Sequence, residues 1–142
     1  MLKVLIVDDE TVVRRGIVLG MNWASMDCVV VGEAANGEEG LAAAERYNPS
    51  LIITDVRMPR MDGIEMMRRL RERDCTAHFI VLTAYDEFDY ARSALRYGAA
   101  DYLLKPFRDQ DLMAAIARVR EKEGAAQPAE DTPLLPKGDK SK

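Results

Sequence analysis

The chain has 142 residues, enough for one domain and a tail, and enough to bury a core without disulfide or metal staples. Hydrophobic residues make up 48% and charged residues 31%. The net charge of -4, with "RRLRER" (68–73) as the one short basic cluster, argues against nucleic-acid binding by this segment. Cys28 and Cys75 lack metal-ligand spacing and read as small core residues of a reduced, cytosolic chain.

The first apolar run, "KVLIV" (3–7), ends abruptly in Asp8, Asp9 and Glu10, too soon for a secretory leader. Val13, Ile17 and Met21 then recur at helical spacing, and Trp23 is expected to plug the gap between this helix and a second strand, "CVVVG" (28–32). Asn36 with Glu39 reads as a capping box opening a second helix, and Pro49 follows that helix. The third strand, "SLIIT" (50–54), runs into Asp55, with Met58 and Pro59 bracing the loop beyond it. Asp62 and Glu65 repeat the capping box before Ile64, Met67 and Leu70, and "RRLRER" is expected as a solvated face of this helix. His78, the only histidine, ends the loop before "HFIVLT" (78–83); Gly98 is expected to cap a fourth helix. "ADYLL" (100–104) is followed by Lys105 and a last helix carrying Leu112, Ile116 and Val119. Met66, Met67 and Met113 read as packing residues.

Five β-then-α units imply an α/β fold with an open parallel sheet and helices on both faces. No apolar run approaches the ~20 residues needed to span a bilayer, so no membrane role is expected. From Gly124 the periodicity stops, and prolines, glycines and small or charged residues predominate. The expected organisation is one domain over 1–123 and a flexible linker or tail over 124–142.

Sites in open parallel sheets form beyond the carboxyl ends of the strands. Asp8 and Asp9 follow the first strand and Asp55 the third. If those strands are neighbours, three carboxylates converge and repel, and a hard divalent cation, best Mg²⁺, would offset them. An acid pair after a strand also serves as a helix N-cap, and Asp55 alone is a weak signal. Thr83 at the end of the fourth strand and Lys105 at the end of the fifth add a hydroxyl and an ammonium. Each is ordinary alone, but together with the acids they provide what a phosphoryl group needs. Asp55, single on its strand, is then the nucleophile, and Asp8 and Asp9 are the metal ligands.

The motifs "VDDE" (7–10), "DVRMPRMDG" (55–63), "LTA" (82–84) and "DYLLKPF" (101–107) resemble the receiver domain of two-component response regulators over about residues 2–122. The resemblance implies the flavodoxin-like fold, a doubly wound (βα)5 sheet of order 2-1-3-4-5. It implies that Asp55 takes a phosphoryl group from a sensor histidine kinase, with Mg²⁺ held by Asp8, Asp9, Asp55 and the backbone carbonyl of Arg57. Thr83 and Lys105 would contact the phosphoryl oxygens. The Lys105–Pro106 bond is expected to be cis; an ordinary trans proline ending a strand is the plainer alternative. Thr83 and Tyr102 would act as a switch that reshapes the face of the fourth helix, fifth strand and fifth helix, which also suggests a homodimer; Tyr102 as a static aromatic is the alternative. Arg57 and Tyr85 are expected to flank the phosphoryl group and affect its lifetime.

Two longer stretches, "MNWASMDCVVVGEAANGEEGL" and "TAYDEFDYARSALRYGAADYLLKPF", resemble receivers joined to AraC-type DNA-binding domains. An excised piece of a transcription factor and a free-standing receiver both fit. DNA contact is expected only through an output domain that these residues do not contain. The competing classes are a pseudo-receiver that only mediates protein contacts and a small flavodoxin-like enzyme or flavin carrier. A flavin site favours a Gly/Ser/Thr-rich loop where this chain has "DDETVV", and a haloacid-dehalogenase-type phosphatase favours D-x-D where these aspartates are adjacent. The expected protein is a signalling domain that catalyses its own phosphorylation and dephosphorylation, not a metabolic enzyme.

Overall fold

The computed structural model describes residues 1–84, 89 and 92–131, with side chains described as far as Gly124. Five parallel strands, β1 (Leu2–Val7), β2 (Cys28–Ala34), β3 (Leu51–Asp55), β4 (His78–Ala84) and β5 (Ala99–Lys105), form one sheet in the order β2-β1-β3-β4-β5. Among the described residues, the long helices are α1 (Thr11–Gly20), α2 (Gly37–Tyr47), α3 (Gly63–Glu72) and the last helix, α4 (Asp109–Asp131). This is the doubly wound, flavodoxin-like arrangement.

Strand alternation divides the core in two. Leu5, Val7, Ile52, Phe79 and Val81 face α2 and α3, where they meet Leu41, Ile64, Met67 and Leu70. Their neighbours Val4, Ile6, Ile53, Ile80 and Leu82 face α1 and α4, where they meet Ile17, Leu112, Ile116 and Val119. Strands covered on both faces need apolar side chains at every position, which is why Val4–Val7 and Phe79–Leu82 are continuous Val/Ile/Leu/Phe runs. Trp23 is buried between α1 and β2, on the α1/α4 side, and its indole N–H donates to the Val18 carbonyl at 3.1 Å.

Asn36 caps α2 by accepting from the Glu39 amide at 2.9 Å, and Glu39 reaches back to the Ala35 amide. Asp62 caps α3 in the same way, accepting from the Glu65 amide at 2.8 Å. The second half of the expected box differs: the Glu65 carboxylate turns to Arg68 and Arg69, which hold it down at about 2.

Two further expectations, on Arg71 and Met113, are corrected. Of the fourth helix expected between β4 and β5, Asp89 is helical and much of the rest lies outside the described residues; Arg92–Tyr97 is a 3₁₀ helix. Gly98, at φ +78, closes it with a tight bond from its N–H to the Leu95 carbonyl. Arg71 leaves the solvated face predicted for its cluster. Its guanidinium donates to the carbonyls of Tyr97, Cys75 and Ala77 and lies 4.5 Å from the centroid of Phe79. Met113 is exposed and does not pack into the core. The last helix, α4, runs through Gly124 to Asp131. Among the described residues, no helix is long and apolar enough to cross a membrane.

Candidate functional site

The register brings the strand ends together. Val7 pairs with Thr54, so Asp8 and Asp55, one residue further on, are neighbours at the carboxyl end of the sheet. Asp55 pairs with Leu82, and Ala84 pairs with Lys105. Asp8, Asp55 and Lys105 continue the alternation of Ile6, Ile53 and Leu103, so all three project on the α1/α4 side. The Asp8 amide adds one more rung to β2 by donating to the Ala34 carbonyl at 3.0 Å.

Asp8, Asp9 and Asp55 each offer a carboxylate oxygen, and these three oxygens lie within 4.8 Å of one another. The Lys105 ammonium stands 3.3 Å from Asp8 Oδ2, 3.3 Å from Asp55 Oδ2 and 3.7 Å from Glu10 Oε1. The second oxygens are also engaged: Asp8 Oδ1 accepts from the Glu10 amide and Asp55 Oδ1 from the Val56 amide. Asp8 is fully buried, the Asp55 side chain is 9% exposed and Asp9 is exposed.

This crowding perturbs every buried charge. Burial and then the Asp8 carboxylate push Asp55 up to about 6, against the pull of Lys105. Burial raises Asp8 as well, opposed by the Glu10 amide and Lys105 and aided by Asp9. Burial alone would lower Lys105, but Asp55 and Asp8 together outweigh it and the ammonium is held above its ordinary value. The three carboxylates outnumber the one ammonium that faces them. Three carboxylates on one open rim are a donor set that fits a hard, oxygen-ligated divalent ion.

The loops are shaped to permit this. A Cβ on Gly63 would lie 2.2 Å from the Asp55 carbonyl oxygen, so only glycine lets the start of α3 close against Asp55. The Gly63 amide donates to the Val56 carbonyl at 2.7 Å, fastening that loop. Arg57 lies in it, exposed, two residues after Asp55. The Lys105–Pro106 bond is cis.

Thr83 is fully buried, and its hydroxyl donates to the Ala84 carbonyl at 3.2 Å. Tyr102 is half-buried against the α2/α3 side of the core. Tyr102 pairs with Val81, two residues before Thr83, so the two side chains share a face of the sheet. Tyr85 lies outside the described residues. Two groups went unnoticed in the sequence: Glu10 as a third partner of Lys105, and Arg14, which donates to the Asp8 carbonyl at 2.6 Å. Arg14 recurs one helical turn after Glu10, a spacing that was a usable signal.

A parallel sheet of this order with acids and a lysine gathered at its carboxyl rim defines a flavodoxin-like domain with a charged site at the strand ends. Residues 4–117 match the family model for the response regulator receiver domain, and the chain belongs to that family. It is 35% identical over 119 residues to the uncharacterized transcriptional regulatory protein YesN of Bacillus subtilis, covering 84% of this chain and 32% of that protein. The chain therefore spans about a third of that curated relative. Among solved structures it resembles the REC domain of AraT, a response regulator from Geobacillus stearothermophilus, at 44% identity and TM-score 0.84, covering 89% of this chain and 98% of that one. It also resembles a two-component transcriptional regulator AraC from Clostridium phytofermentans, at 30% identity and TM-score 0.81, with coverage of 89% and 98%.

Proposed function

We propose that Asp55 accepts a phosphoryl group from the phosphohistidine of a partner sensor histidine kinase. A carboxylate oxygen of Asp55 attacks phosphorus, the P–N bond breaks, and the imidazole nitrogen keeps the electron pair. Water later attacks phosphorus, the P–O bond to Asp55 breaks, and the carboxylate returns. The observation that carries this reading is Lys105 held 3.3 Å from both Asp8 and Asp55, beside an acid trio with oxygens within 4.8 Å.

Asp8, Asp9, Asp55 and the Arg57 carbonyl would hold Mg²⁺. When bound, it supplies positive charge to the carboxylates and to the phosphoryl oxygens. Lys105 neutralises a further oxygen, and burial of Asp55 limits access of water.

The switch follows from the hydroxyl of Thr83. A phosphoryl oxygen on Asp55 draws it away from the Ala84 carbonyl, and Tyr102, on the same face, moves into the space released. The output surface is then the 3₁₀ helix Arg92–Tyr97 with β5 and α4. Leu95, Leu104 and Met113 already expose apolar side chains there, which suits docking of a partner or of a second copy. In the cytoplasm this would control an output, most simply transcription, with DNA contacted through a separate output domain.

The test is phosphorylation by acetyl phosphate with Mg²⁺, read by intact mass. One added phosphoryl group is expected in the parent, and none without metal or in Asp55→Asn. No mass gain in the parent would overturn the reading.

A further inference from the structure

Arg14 stands one turn into α1 with only 13% of its side chain exposed. Its Nη1 donates to the main-chain carbonyl of Asp8 at 2.6 Å, while its Nε donates to Glu33 Oε1 at 3.0 Å. Glu33 stands on β2 beside Ile6, and its other oxygen takes Arg15. The guanidinium is therefore fixed from the β2 side and spends its remaining fork on one buried backbone oxygen.

That oxygen belongs to the peptide unit joining Asp8 to Asp9. The unit is planar, so holding its oxygen fixes the direction in which Asp9 leaves Asp8. The Asp8 amide is already tied to Ala34. The residues on either side of this plane supply two of the three clustered carboxylates. We infer that Arg14, held by Glu33, is a positioning residue that locks the Asp8–Asp9 peptide plane and so sets the spacing of the acid pair for a small divalent cation.

The inference rests on the metal-binding reading of the acidic cluster, and charge and geometry make opposite predictions. As a bare positive charge, Arg14 would oppose any divalent ion, Mg²⁺ and Ca²⁺ alike. As a lock it favours the ion with the stricter geometry. Mg²⁺ demands near-octahedral oxygens at about 2.0–2.1 Å, whereas Ca²⁺ accepts variable sets at about 2.3–2.6 Å.

The experiment is calorimetric titration of Mg²⁺, and separately of Ca²⁺, into the parent, Arg14→Gln, Arg14→Lys and Glu33→Gln. In Arg14→Gln, Mg²⁺ binding should weaken about tenfold, the scale seen when a partner of a metal ligand is lost. Ca²⁺ binding should change by less than about twofold, reflecting its looser geometry. Arg14→Lys keeps the charge but not the fork and should move the same way. Glu33→Gln leaves the Asp8 carbonyl bonded and should give a smaller loss of the Mg²⁺ preference, which keeps the test open if Arg14→Gln does not fold. An unchanged Mg²⁺/Ca²⁺ ratio, or tighter binding of both ions, would overturn the lock while leaving the metal site standing. A parent that binds neither ion would overturn the metal site and the lock with it.

Discussion

Replacing Asp55 by asparagine should make the metal-free protein more stable at neutral pH. The folded chain raises Asp55 from an ordinary 3.8 to about 6, chiefly by burial and the Asp8 charge. Between pH about 4 and about 6 the folded state therefore binds more protons than the unfolded state, so stability falls as pH rises through that window. Above it the whole cost is present. A shift of about two pH units corresponds to about 3 kcal/mol. Asparagine keeps the shape and can still accept from the Val56 amide through its side-chain oxygen, while Lys105 keeps Asp8 as a partner. Urea unfolding in chelator at pH 7 should thus show Asp55→Asn more stable by up to about 3 kcal/mol, near 10 °C in Tm for a chain of this size. The gap should close toward pH 4, and Mg²⁺ should narrow it at pH 7 by stabilising the parent more. A variant that is less stable than the parent at pH 7, or a gap independent of pH, would refute the account of a strained acidic cluster.

Lys105→Ala removes the cation that sits between Asp8 and Asp55. The metal-free protein should lose stability, while Mg²⁺ affinity by calorimetry should rise at least about fivefold, since one unit charge near 4 Å is worth about 1 kcal/mol even in water. Thr83→Ala should still gain one phosphoryl group by mass. Its backbone NMR shifts over Arg92–Lys105 should move less on phosphorylation than those of the parent; equal movement would sever Thr83 from the switch. Gly63→Ala forces a Cβ onto the Asp55 carbonyl, a backbone contact with no flexible end to give way. It should cost about 2 kcal/mol or more in urea and slow phosphorylation by acetyl phosphate.

The sheet was readable because it is covered on both sides, so strands appear as unbroken apolar runs that end in polar rims. Once β1 and β3 are neighbours, Asp8 and Asp55 must meet, because in-register parallel strands carry their ends to one place. Side-chain direction on a helix with cations on several sides is harder. Arg68 and Arg69 face acids in water while Arg71, from the same cluster, serves three backbone carbonyls. Nothing in a linear pattern separates them, since Arg71 is chosen by the turn that follows its own helix, through the Cys75 and Ala77 carbonyls, and by the distant Tyr97 carbonyl. Met113 shows the reverse error: it lies on a helix with a buried stripe yet outside that stripe.

Asp8 and Lys105 are 97 residues apart, and their contact closes the pocket. A nascent chain that has emerged only as far as Ala84 carries all three acids without the lysine that tempers them. Docking of the final strand, at the sheet's outer edge, is what relieves that repulsion. On the function proposed above, competence to receive a phosphoryl group would then report that nearly the whole domain has been made and assembled.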